Sequence, residues 1–311
     1  MKFKFLFVCI YVYTSLFAQE KPFIEKELRI NQHVDGTLTT PTNSKHSKTI
    51  AIIIGGSGPT DRNGNQNFLK NDALKKLSYA LADYGITTFR YDKRIVKQIH
   101  NRNVDPNIMF DDFVDDAISV VSYFSAAGNY DKVFVIGHSQ GSLVGLLASK
   151  KDVSGFISLA GAGQNIGDVL VEQISKTAPQ FTEDTKRIVA DLKTKKTVND
   201  YPPALESVFR KDIQKFMMNW MAYEPTEIIK ELDIPILILN GSKDLQVSVE
   251  EAKNLKDAAP NAQIEIIENM NHVLVNIAGD ELENSKSYNE PYRKISPKLV
   301  EHISTFILSI N

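Results

Sequence analysis

Residues 132–145, KVFVIGHSQGSLVG, set a serine between two glycines directly after an apolar run. In Gly137-His138-Ser139-Gln140-Gly141 the glycines let a strand and a helix meet at a tight turn, whose central residue takes a strained backbone conformation. Such a turn lifts the Ser139 hydroxyl clear of a sheet and places it at a helix N-terminus, where amides and dipole favour developing negative charge. The chemistry this permits is nucleophilic attack on a carbonyl. It needs a base to take the serine proton and an acid to orient the base.

On a turn of this type the partners follow in the order Ser, Asp or Glu, His. Of the six histidines, His33, His46 and His100 precede the serine. His138 adjoins it, with a side chain expected to point away from that of Ser139 and to pack or brace the turn. His302, in KLVEHISTFI, reads as a residue of an amphipathic helix. His272, in IIENMNHVL, falls in a loop just after a strand, where a scaffold presents catalytic groups, and is the expected base. The strand IPILILN runs into GSKDLQVSVEEAKNL, and Asp244 in that loop is the expected acid. A turn or N-cap aspartate is the alternative for Asp244. The oxyanion of a tetrahedral intermediate would take the backbone N–H of Gln140 and a second N–H from IAIIIGGSGPTDRNGN, Ser57 first and Gly56 second. A plain glycine-rich turn is the alternative there.

These groups need a frame that brings them to one edge. Residues 23–30 and 36–40 alternate like strands; 49–54 is a continuous β-branched run, and 86–91, 132–136, 155–160, 234–239 and 262–267 read as further short strands. Helical spacing covers 68–84, 108–127, 140–150, 249–258 and 297–310. Short buried strands alternating with helices predict an α/β protein with a mainly parallel sheet covered on both faces. Ser139, Asp244 and His272 each follow a strand, so all three fall at carboxyl ends. Between about 163 and 230 the rhythm gives way to helical periodicity alone, which predicts a helical cap at those carboxyl ends. Phe209, Phe216, Met217, Met218, Trp220 and Met221 of the cap either wall an acyl pocket, Trp220 and Met217 foremost, or glue the cap down.

Over about residues 25–310 the chain resembles the α/β-hydrolase superfamily. It is similar in particular to bacterial secreted esterases and serine aminopeptidase-like hydrolases that carry a GGSGPTDRNGN-type loop, an RYDKR strand end, GHSQG and a GSKD before a helix. The resemblance implies an α/β-hydrolase fold, with Ser139 as nucleophile, Asp244 as acid and His272 as base. Gly55 stands where many relatives have a histidine, and Ile95 follows RYDKR where a glycine is usual.

The remaining sequence bounds these expectations. A net charge of -2 gives no overall basic field for a polyanion, so nucleic acid is not an expected partner. Residues 1–18, MKFKFLFVCIYVYTSLFA, read as a secretory signal peptide, too short in its apolar part to span a membrane, with a retained N-terminal anchor as the alternative and residues 19–311 forming the hydrolase domain. Cleavage after Ala18 removes the only cysteine, Cys9, and with it disulfides and thiol chemistry. The acidic run 111–116 reads as the first turn of a helix beginning at Asp105-Pro106, not as a metal site. Lys93, Arg94, Lys97, His100 and Arg102 read as a solvated basic loop balanced by those acids, with contact to a charged substrate as the alternative. The expected activity is cleavage of a small or short-chain acyl ester without metal or organic cofactor, in a secreted or periplasmic setting. A peptidase or amidase with the same triad, or an idle binding protein on the same fold, is the alternative.

Overall fold

A computed structural model describes residues 22–42, 46, 48–150 and 152–310. The segment read as a signal peptide, with Cys9, lies outside the described residues. Within them the apolar runs become β1 (Phe23–Arg29), β2 (Asp35–Pro41), β3 (Thr49–Ile54), β4 (Thr87–Tyr91), β5 (Lys132–His138), β6 (Gly155–Leu159), β7 (Ile236–Gly241) and β8 (Gln263–Ile267). They form one sheet in the order β1-β2-β4-β3-β5-β6-β7-β8. The β1–β2 and β2–β4 pairings are antiparallel and the rest parallel.

The unbroken apolar character of the central strands follows from burial on both faces. In β3, Ile50, Ile52 and Ile54 enter one core and Ala51 and Ile53 the other. Each isoleucine buried this way contributes about 2–3 kcal/mol. Helices α1 (Ala73–Asp83) and α12 (Pro297–Ser309) close one face. The helices α3 (Phe110–Ala126), α4 (Gln140–Ala148) and α10 (Val249–Ala258) close the other.

Three sequence expectations shift. The helix expected from residue 68 begins at Ala73, because the Asn65 side chain accepts from Asn71 N–H and Asp72 N–H and holds that stretch in a loop. The helix expected from Asp105-Pro106 begins at Phe110, where the Asp112 carboxylate accepts the Met109 N–H at 2.8 Å. The basic stretch read as a solvated loop is largely the short helix α2 (Arg94–His100). Arg94 pairs with Asp112 and Asp116, Lys97 pairs with Asp35, and Lys93 is buried.

Between β6 and β7 lie five α-helices, two single 3₁₀ turns and no strand: the α-helices are α5 (Ile166–Thr177), α6 (Thr182–Lys193), α7 (Glu206–Phe209), α8 (Lys211–Trp220) and α9 (Pro225–Lys230). Their own apolar cluster includes Ile188, Phe209 and Met221. The insertion is fastened to α3 by Trp220 stacked on Phe110 at 5.6 Å and by Tyr223 Oη donating to Asp111 at 2.5 Å.

The strand-to-helix turn explains its own glycines. A Cβ on Gly137 would lie 2.2 Å from the Gly141 carbonyl oxygen, and one on Gly141 would lie 2.4 Å from the Ile54 carbonyl oxygen. Both obstacles are backbone. Gly141→Ala is therefore expected to cost about 3 kcal/mol in urea unfolding, at the upper end for overpacking, because neither β3 nor α4 can retreat.

Candidate active site

Ser139 joins β5 to α4 with φ 55° and ψ −123°, a conformation that side chains other than glycine rarely take. The strain is held by hydrogen bonds on both sides: Ser139 N–H donates to Leu159 O at 2.9 Å and Ser142 N–H donates to Ser139 O at 2.9 Å. Ser139 thereby lines two cavities at the N-terminus of α4.

Asp244 follows β7 and His272 follows β8, on the same edge of the sheet as Ser139. His272 Nδ1 lies 2.8 Å from Asp244 Oδ2, with the two side chains 5% and 1% exposed, so the pair is shielded from water. The other carboxylate oxygen, Oδ1, accepts from Gln246 N–H at 2.8 Å and Val247 N–H at 2.9 Å. Asp244 is thus both the turn aspartate and the partner of His272. An Nδ1–H donated to Asp244 leaves Nε2 as the free acceptor on the imidazole.

The two loops are stitched to each other. Lys243 N–H donates to Met270 O at 2.9 Å. Asn271 Nδ2 donates to Asn284 Oδ1 and Ser287 Oγ on α11 (Glu281–Ser287), and Asn284 Nδ2 donates to Lys243 O at 2.7 Å. Gly241 is required where they cross, since a Cβ there would sit 2.1 Å from Met270 O. His138 braces His272: its ring lies 4.8 Å from that of His272, and its Nε2 is 2.9 Å from the His272 carbonyl oxygen. Burial pulls the His138 pKa down to about 3, with His272 adding to the effect, so Nε2–H donates and the ring stays neutral. His302 lies on α12, outside this group.

Ser139 and His272 line a small cavity of about 70 Å³ with Gly56, Ser57 and Tyr288. Ser139, Gln140 and Ser57 also line a cavity of about 440 Å³ whose far walls are Val169, Leu170, Phe216, Met217 and Trp220. Both pocket residues expected foremost, Trp220 and Met217, face it. Phe209 and Met221 are instead buried in the insertion's own core. A larger polar hollow of about 670 Å³ lies beneath β1, β2 and α2. Its guanidinium groups are already paired, Arg62 with Asp92 and Glu27, and Arg90 with Glu25.

Lys93, expected among solvated charges, is instead buried against the site. Its Nζ donates to Gly56 O at 3.0 Å and to Gln140 Oε1 at 2.5 Å. Its place just after β4, at a strand's carboxyl end like Ser139 and Asp244, was the available signal.

The family model of serine aminopeptidases of the S33 type matches residues 71–276. The chain belongs to this S33 serine aminopeptidase family. Among relatives of this S33 chain, Esterase EstD of Thermotoga maritima is 25% identical over 273 residues, which cover 85% of this chain and 63% of that protein. The chain thus spans less than two thirds of the length of that curated relative. Est1E from Butyrivibrio proteoclasticus shares the fold at a TM-score of 0.58 and 15% identity, over 91% of this chain and 97% of that one. A proline iminopeptidase from Mycobacterium smegmatis shares it at 0.53 and 12%, over 93% and 100%. The S33 chain has the α/β-hydrolase fold, with the helical insertion set between β6 and β7.

Proposed function

We propose that the protein is an exported serine hydrolase that cleaves carboxylic esters with an apolar acyl group. The observation that carries this reading is the shielded Asp244–His272 pair at the same sheet edge as the strained Ser139, beside an apolar cavity. In the proposed reaction His272 Nε2 takes the Ser139 proton as Oγ attacks the ester carbonyl. Asp244 fixes the tautomer and stabilises the imidazolium. The oxyanion accepts from Gln140 N–H and Ser57 N–H, with Gly56 N–H the second choice for the latter. The tetrahedral intermediate collapses as His272 protonates the departing alkoxide; water then repeats the steps and releases the acid.

The cavity favours an ester over an aminopeptidase substrate. A free N-terminal ammonium entering a desolvated pocket needs a carboxylate partner. Among the described residues that line the 440 Å³ cavity none has an ionisable side chain. Export is supported by residues 1–18, with their lysines before an apolar stretch and small residues at its end.

The test is a paired assay of an aryl butyrate and an aminoacyl anilide at equal concentration. The ester is expected to give the higher kcat/KM, and a clear preference for the anilide overturns the ester assignment. Failure of a fluorophosphonate to label the folded wild-type protein overturns the hydrolase reading itself.

A further inference from the structure

Lys93 is a buried cation that the triad does not use. The carboxylates nearest to it in sequence are engaged elsewhere: the Asp92 carboxylate accepts from the backbone N–H, Nε and Nη2 of Arg62. Asp112 and Asp116 bind Arg94. What faces the ammonium is the Gly56 carbonyl from the loop after β3, the Gln140 side-chain amide from α4 and the Phe113 ring from α3, whose centroid is 4.2 Å away. Neutral His138 lies against Gly56 from β5, with its Nδ1 3.5 Å from where a Gly56 Cβ would stand. Burial without a carboxylate pulls the lysine pKa down to about 7. A methionine would fill the same space without that cost, so the stability of the core does not account for a lysine there.

Both acceptors belong to the two segments expected to bind an oxyanion. In a trans peptide the C=O and the following N–H point in opposite directions. Holding Gly56 O toward Lys93 therefore turns the Ser57 N–H away from it, and Ser57 lines both cavities that Ser139 lines. The second contact fixes the Gln140 side chain at the first residue of α4, whose own N–H is the other donor. Ser57 N–H and Gln140 N–H donate to no acceptor among the described residues.

We infer that Lys93 is a positioning residue that holds the Gly56–Ser57 peptide and the start of α4 as the two halves of one oxyanion hole, and polarises the Ser57 N–H. It touches no reacting atom. The inference rests on the hydrolase reading and selects Ser57 over Gly56 as the second donor. Because the contact matters only when charge develops on the carbonyl oxygen, its loss lowers kcat and leaves KM nearly unchanged.

The test compares full-length wild type, Lys93→Met and Gln140→Leu on an aryl ester, with fluorophosphonate labelling alongside. Lys93→Met is expected to lower kcat by about 30-fold with KM within about twofold, and to weaken an aryl boronic acid inhibitor by a similar factor. Gln140→Leu, which keeps the backbone donor, is expected to show a smaller fall in kcat alone. Wild-type kcat is expected to decline as pH rises through about 7, where the ammonium loses its proton, and Lys93→Met to lack that decline. A labelled, folded Lys93→Met with wild-type kcat overturns the inference while leaving the hydrolase intact. Should that variant not fold, a wild-type kcat that stays level from pH 7 to 9 together with an unaltered Gln140→Leu overturns it equally. Absence of labelling in wild type overturns the underlying reading instead.

Discussion

Ser139→Ala is expected to lower kcat/KM on an aryl ester by roughly 10⁴- to 10⁶-fold and to abolish fluorophosphonate labelling. His272→Ala is expected to do the same, and the double variant to be no worse than either, because nucleophile and base act as one unit. The fold should be indifferent to the serine change. The turn is held through backbone groups, to Leu159 and Ser142, which an alanine keeps. Urea stability of Ser139→Ala should therefore stay within about 0.5 kcal/mol of wild type. His272→Ala will lose more, since its ring packs against His138 and binds Asp244. Turnover surviving in a folded Ser139→Ala at more than about one hundredth of wild type would remove the serine from its assigned role.

That such a test can be written from a sequence reflects how parallel sheets are built. A strand buried on both faces is mostly apolar, so 49–54, 132–136 and 155–160 announce themselves by local composition. Once they are strands, the polar residue just past each one is already at the carboxyl edge, and Ser139, Asp244 and His272 fall together without any contact being known. What stayed hidden depends on distant partners. The short helix α2 follows from Arg94 reaching Asp112 and Asp116 and from Lys97 reaching Asp35, pairs made across tens of residues. The loop before α1 is held by the Asn65 side-chain oxygen, which a helical spacing of apolar residues cannot register. Lys93 read as a solvated charge because its acceptors lie 37 and 47 residues away, and nothing in RYDKR distinguishes a buried lysine from an exposed one.

Asp244→Asn separates the acid's two tasks. In the native loop one oxygen receives two backbone N–H groups, from Gln246 and Val247, and the other faces His272 Nδ1. An asparagine keeps the first arrangement only by turning its carbonyl oxygen to those amides, which sets its NH₂ opposite Nδ1. Nδ1 must then accept, the imidazole proton moves to Nε2, and the nitrogen meant to take the serine proton already carries one. The loop stays folded while kcat falls by about 10⁴-fold, and the rate of fluorophosphonate labelling falls with it. Asp244→Ala differs in kind: it strands both backbone donors in a site where the native carboxylate is 1% exposed, adding a stability loss of about 2 kcal/mol to the same kinetic defect. A folded Asp244→Asn that keeps more than about one tenth of wild-type kcat would mean that another group orients His272, because the wrong tautomer cannot act as the base.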